Sequence, residues 1–238
     1  MEPARVLLVE DDASLQRFVS LALAELPLTL QCCDNVDAAL ALLKAQSVQL
    51  ILTDLMLPGR SGFELIETLV RQQAGPLPRI VVFSAGLSPT ARARLEKLPV
   101  WRLLAKPCTV LGLEACVREA LDAGQAVDAV SPPRRQSAAA LAVVRNFGGN
   151  QALYDSYRAG CLQQFAADAQ AGDAACLAHD AAALHRLAHN LKTVLLLLGH
   201  DEVSGQARLL EHAASTAAWD AALPQRWQGL KRILLMLD

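Results

Sequence analysis

Aromatic side chains make up only 4% of the 238 residues, and no block of lysine and arginine interrupts the chain. Nucleic-acid binding needs a cationic footprint and often stacking platforms, so both shortages argue against a nucleic-acid partner. The charges nearly cancel, 22 Lys and Arg against 24 Asp and Glu, and they divide as 12 against 14 over residues 1–125 and 10 against 10 beyond. Neither half is built to hold a polyanion. The most hydrophobic run, Val194 to Leu198, falls far short of the ~20 residues that a membrane span requires. The opening MEPARVLLVEDD turns acidic after one strand's length, so it has no signal-peptide core. The expectation is a cytoplasmic protein with no membrane partner. The six cysteines form neither a CxxC pair nor a disulfide framework and read as reduced thiols. What is plentiful is apolar: 53% of residues, much of it alanine, which points to a buried core rich in helix.

The chain changes character halfway. Residues 5–9, 28–33, 50–53, 79–84 and 101–105 are short apolar runs of the kind that make buried parallel strands. Between them lie stretches of 3.6-residue apolar spacing, such as Leu15, Phe18, Val19 and Ala22. Alternating strands and helices of this kind predict βαβ units and a parallel sheet covered on both faces. The segment 126–136, with paired prolines and paired arginines, reads as a linker. Beyond it no strand-like run occurs. Helical spacing over 137–146, 151–177, 181–198, 202–216 and 221–237 predicts a bundle. Either Gly172-Asp173 or His179-Asp180 makes the turn before the third of these helices, with Asp180 the better N-cap. The domains expected are therefore 1–125 and 137–238, joined by 126–136.

In open parallel sheets ligands bind beyond the carboxyl ends of the strands, where the strand order reverses. Asp11 and Asp12 follow the first strand, Asp54 ends the third, Ser84 the fourth and Lys106 the fifth. Carboxylates gathered in this way repel one another unless a cation holds them, and oxygen ligands with room for water favour magnesium. Lys106 adds a point charge and Ser84 a hydroxyl for phosphoryl oxygens. Phosphoryl transfer asks for little beyond alignment and charge neutralisation, and a carboxylate in such a site can itself attack to give an acyl phosphate.

VEDD at 9–12, DLMLPGRSG at 54–62, SA at 84–85 and KP at 106–107 resemble the receiver domain of two-component response regulators. The resemblance covers about 120 residues and implies a flavodoxin-like, CheY-like five-stranded sheet of order 2-1-3-4-5 with five helices. It implies that Asp54 is the phosphoacceptor, that Asp11, Asp12 and the Met56 carbonyl complete the Mg²⁺ site with Asp54, and that Ser84 and Lys106 contact the phosphoryl group. It also implies a cis bond before Pro107. Leu103 stands where many receivers carry a rotating Tyr or Phe, which points to phosphoryl traffic rather than a large allosteric change.

In the second half, Leu184, Leu187, Ala188, Leu191, Leu195 and Leu198 form an apolar stripe. His189 lies two residues before Leu191, about 200° around the wheel, and is expected to project to solvent. Arg186 and Lys192, three residues to either side, would surround the ring with positive charge, a setting for phosphate on imidazole. Leu196 falls on the same face as an exposed apolar spot for docking, and Thr193 is small enough for a partner to approach. His185 and His189 have metal-ligand spacing, but no acid stands between them and Arg186 would repel a cation.

AHNLKTVLLLLG at 188–199, LLEHAA at 209–214 and FGGNQALYDSY at 147–157 resemble the histidine phosphotransfer (HPt) domain, an antiparallel four-helix bundle with an added N-terminal helix. By that resemblance His189 is the phosphohistidine and Lys192 steadies the phosphate, while Thr193 replaces a usual glycine and Val194 a usual serine. The expected function is a phosphorelay: Asp54 takes phosphoryl from an upstream sensor histidine kinase or HPt protein, and His189 exchanges it with a receiver. No Gly-rich phosphate loop for an ATP-binding kinase core is present. The alternative is a regulatory binding protein, in which phosphorylation of Asp54 gates partner access to the bundle and no phosphate passes between modules.

Overall fold

Strand β1 (Ala4–Val9) carries ARVLLV and β3 (Leu50–Thr53) carries LILT, runs apolar on both faces that are stable only between two layers. With β2 (Leu28–Cys33), β4 (Arg79–Ser84) and β5 (Arg102–Ala105) they form a parallel sheet of order β2-β1-β3-β4-β5. The computed structural model describes residues 3–72, 76–84, 87–121, 138–215 and 219–237. The expected linker 126–136 and Ala85 lie outside them. The chain divides into two compact units, Met1–Ser131 and Pro132–Asp238.

In the first unit the helices are α1 (Ala13–Ala22), α2 (Val36–Ala45), α3 (Gly62–Arg71), α4 (Pro89–Leu95) and α5 (Val110–Leu121). Alternation along the strands sends Leu7, Val9 and Ile51 to one face, where they pack with Val36, Ala39 and Leu65 of α2 and α3. Ile80 and Val82 of β4 pack with Ile66 and Leu95 farther along. Side-chain caps set the helix starts: Asp12 for α1, Asn35 for α2, Ser61 with Glu64 in a capping box for α3, and Ser88 before Pro89 for α4. The chain moves from β1 outward to β2, then returns to β3 on the other side of β1. The order therefore reverses between β1 and β3, where Val9 pairs with Thr53, and the next residues of both strands open into one crevice.

The second unit contains α6 (Ala138–Phe147), α7 (Gln151–Leu177), α8 (Ala181–Leu198), α9 (Asp201–Ala214) and α10 (Leu223–Leu234) among the described residues. Helix α7 runs through Gly172 and ends at Leu177, so His179-Asp180 is the turn and Asp180 caps α8 through the Ala183 amide. Helices α7, α8, α9 and α10 pack in a ring, each against its neighbours, and α6 lies on α7 and α8. The last carbonyls of α8 have partners: Asn146 donates to Leu196 and Leu197, the Tyr154 hydroxyl donates to Leu198, and Gly199 turns left-handed at φ 85°.

Candidate functional site

Asp54 is the first residue after β3. Its amide donates to the Val9 carbonyl at 3.0 Å, which ties the end of β3 to the end of β1. The carboxylate is held from both sides: Oδ1 accepts from the amides of Leu55 (2.5 Å) and Met56 (3.2 Å), and Oδ2 accepts from Lys106 Nζ at 2.6 Å. Lys106 follows β5, its amide bonded to the Ser84 carbonyl at 2.9 Å and its peptide to Pro107 cis. Both side chains have no exposed surface. The Lys106 ammonium also sits 4.9 Å from the Phe83 ring centre, where the π face favours it. Gly62, at the start of α3, donates to the Leu55 carbonyl at 3.1 Å, and a Cβ there would lie 2.0 Å from the Asp54 carbonyl oxygen. No residue with a side chain fits against the acceptor loop at that point.

The structure adds a residue that spacing did not single out. Glu10, wholly buried, accepts from Lys106 through Oε2, so one ammonium serves two carboxylates. Burial pushes the Glu10 carboxyl up, Lys106 opposes it and Asp54 reinforces it, and the balance stands at about 8. Burial works against the Lys106 ammonium, but the two carboxylates outweigh it and hold its proton more tightly than usual.

Asp11 and Asp12 are half-buried at the mouth of this crevice, and Ser84 is buried at the end of β4. Asp12 departs from its expected place in the metal set: its Oδ1 accepts from the Leu15 amide at 2.7 Å and serves α1 as N-cap. Among the described residues no three acidic, His or Cys side chains stand together as a ready metal cluster. The donors that suit a hard dication are therefore the Asp11 and Asp54 carboxylates and the Met56 carbonyl, with water completing the shell. Leu103, on edge strand β5, is 39% exposed and does not reach into the crevice from the interior.

In the second unit the expectation for His189 is overturned. The ring is 4% exposed, not outward. A wheel with one core stripe assumes a helix covered on one side, but α8 is flanked by α7, α9 and α6, and from Ala188 to Gly199 only Lys192 and Leu196 escape full burial. Leu196 is accordingly half-buried rather than an exposed docking spot. The expected cationic surround is corrected as well, because Glu211 of α9 reaches between the two motif residues. Its Oε1 lies 2.6 Å from His189 Nδ1 and 2.9 Å from Lys192 Nζ, and its Oε2 lies 2.7 Å from Lys192 Nζ. Ser204 of α9 donates to the Lys192 carbonyl at 2.8 Å, which fixes the two helices in register at this turn.

Burial raises the Glu211 carboxyl, but hydrogen bonds from His189 and Lys192 outweigh it and hold the group at about 2. A carboxylate with this depressed value contributes stability that is complete above its ordinary value near 4.5 and is lost as pH falls through that value toward 2. Glu211→Gln should therefore destabilise the chain by about 1–3 kcal/mol at pH 7. The deficit should fall to about half or less at pH 3 in urea melts of wild type and variant; an equal deficit at both pH values would assign the loss to packing.

Comparison with known proteins covers the first unit. Residues 6–118 match the response regulator receiver domain family. The chain is 27% identical over 121 residues to Transcriptional regulatory protein GlrR of Escherichia coli (strain K12), a span of 51% of this chain and 27% of that protein. It thus covers about a quarter of the length of this curated relative. Similar solved structures include the signal receiver domain of an HD domain-containing protein from Pseudomonas fluorescens Pf-5, with 24% identity over 51% of this chain and 88% of that one at TM-score 0.48. Chemotaxis response regulator CheY4 of Vibrio cholerae is 22% identical over 50% of this chain and 98% of that one, at TM-score 0.46. The parallel sheet, the acid and lysine at its strand ends and the family match agree: residues 6–118 are a response regulator receiver domain, a module of two-component signalling.

Proposed function

We propose that Asp54 accepts a phosphoryl group from the phosphohistidine of an upstream sensor histidine kinase or HPt protein, and that His189 carries phosphoryl to or from a receiver aspartate. The observation that carries the first step is the Asp54 carboxylate, fixed by two backbone amides and held 2.6 Å from the buried Lys106 ammonium. The amides hold the attacking group in one orientation, and Lys106 stands where charge on an incoming phosphoryl oxygen must be met. Mg²⁺ held by Asp11, Asp54 and the Met56 carbonyl would neutralise the phosphoryl charge. Ser84, at the end of β4, would donate to a phosphoryl oxygen.

His189 is supported by its Nδ1 contact with Glu211. A carboxylate at that nitrogen keeps the proton there, so Nε2 carries the lone pair that makes imidazole a nucleophile. One observation favours a second reading. His189 Nε2 is closed off from solvent, as expected if phosphorylation of Asp54 regulates access to the bundle and no phosphate moves between modules.

The two readings separate when the full chain is incubated with a ³²P-labelled phosphorylated kinase domain and Mg²⁺. Acyl phosphate is lost in base, whereas phosphohistidine is lost in acid. The relay predicts both classes of label in the wild type, no label in Asp54→Asn, whose His189 has no receiver aspartate to load it, and only base-labile label in His189→Gln. Chelation of Mg²⁺ should remove the base-labile class. Label on Asp54 alone favours gating, and no label on either residue overturns both readings.

A further inference from the structure

We propose that Thr193 holds the phosphoryl group on His189, its hydroxyl donating to a phosphoryl oxygen attached to Nε2. The inference rests on the phosphohistidine reading above and assigns a residue that this reading leaves unused.

Two buried polar atoms of α8 have no hydrogen-bond partner among the described residues, His189 Nε2 and Thr193 Oγ1. Their side chains are 4% and 1% exposed, in the interior where an unmet polar group is costly. They are four residues apart on α8, so they share one face. Side chains on a helix lean toward its N-terminus, which carries the Thr193 hydroxyl back over the turn of His189. The two atoms are also complementary. With Glu211 at Nδ1, Nε2 is the acceptor nitrogen, and the threonine hydroxyl is a donor with nothing to donate to. A threonine in a helix usually satisfies its hydroxyl on the carbonyl one turn back, and here it does not. A group bonded to Nε2 and bearing acceptor oxygens satisfies both atoms at once, and phosphoryl is such a group.

The step balances without further reagents. The Nε2 lone pair forms the bond to phosphorus as the bond from phosphorus to the donor's leaving atom breaks, and that electron pair departs with the leaving group. The Nδ1 proton stays, shared with Glu211. The Thr193 hydrogen moves from no acceptor to a phosphoryl oxygen. The pocket must widen to admit phosphoryl, and the side chains one turn either side, His185, Arg186, Lys192 and Leu196, are the incompletely buried ones on that face. His185 also lines a cleft of about 670 Å³ with His179, Asp180 and Trp219, which gives it space to move into.

The test uses the full chain with Asp54→Asn, so that only histidine is labelled, and phosphoramidate as donor, from which ammonia leaves. Thr193→Val keeps the side-chain shape and removes the hydroxyl, and Thr193→Ser keeps the hydroxyl. At saturating phosphoramidate, Val should slow base-stable labelling about tenfold, the scale of one hydrogen bond to a charged group, and should shift the ³¹P resonance of the phosphohistidine. Ser should restore both, and His189→Gln should carry no label. Labelling of Thr193→Val at the parent rate with an unmoved ³¹P signal overturns the role of Thr193 while leaving phosphohistidine standing. A serine variant that melts like the parent but stays slow overturns it too. No label in the parent overturns the proposal together with the reading beneath it.

Discussion

Replacing Lys106 with methionine should abolish base-labile phosphate on Asp54 and destabilise the chain by about 3–5 kcal/mol, the cost of leaving a buried charge unpaired. The ammonium is shared by the Asp54 and Glu10 carboxylates, none of the three side chains has exposed surface, and among the described residues no other cation forms an ion pair with Asp54 or Glu10. Without it two acids face each other in the crevice. The double variant Lys106→Met with Glu10→Gln separates the two losses. It removes one of the opposed carboxylates and should recover about 2 kcal/mol or more of the stability, as expected for residues that share one network. Phosphoryl acceptance should stay absent, because the charge that meets the phosphoryl oxygens is still missing. Urea melts give the first quantity and labelling of Asp54 the second. A Lys106→Met chain that labels at the wild-type rate would show that the lysine serves folding alone.

That cluster was largely legible because strand ends are easy to locate: an apolar run stops at a polar residue, and a parallel sheet places such residues together. Strand ends locate Asp54 and Lys106, which the structure brings together, and put Ser84 at the end of β4. Glu10 was not, because the acidic pair nearest the expected helix drew attention while β1 stops at Val9. Residue 10 is the first beyond the strand and still lies inside the sheet. The spacing from Asp12 to Leu15 was the available signal that the third acid is a cap. His189 failed for a different reason. A helical wheel reports the stripe facing one neighbour, whereas the run Val194–Leu198 already occupies every side of α8, the mark of a helix enclosed by several. Glu211 depends on how two helices meet, which no single-helix pattern contains. A hint existed in Ala207 and Ala214, buried residues of α9 that put Glu211 beside the core stripe. A lone carboxylate next to small buried residues needs a cation or donor across the interface.

The remaining large effect is steric and lies away from either reactive residue. Gly172 sits inside α7 against Trp227 of α10, and a Cβ there would come within 2.0, 2.2 and 2.5 Å of three atoms of the indole. The ring cannot slide away at low cost. It has no exposed surface, and its Nε1 donates to Asp173 Oδ1 at 3.0 Å, with Gln228 and Lys231 bound to the same carboxylate. Alanine favours helix over glycine by about 1 kcal/mol, so Gly172→Ala would stabilise α7 if the site were open. Overpacking costs on the order of 1–3 kcal/mol and more where nothing yields. The overlap must separate α7 from α10 and break the Asp173 contacts with it, so a net loss of about 2 kcal/mol or more is expected in urea melts. All three clashing atoms, Cε2, Cζ2 and Cη2, belong to the six-membered ring of the indole, which reaches farther from the backbone than a phenylalanine ring. Adding Trp227→Phe should therefore make the double variant more stable than the sum of the two single losses predicts. Additive losses would mean that α7 and α10 do not meet at Gly172 as the structure describes.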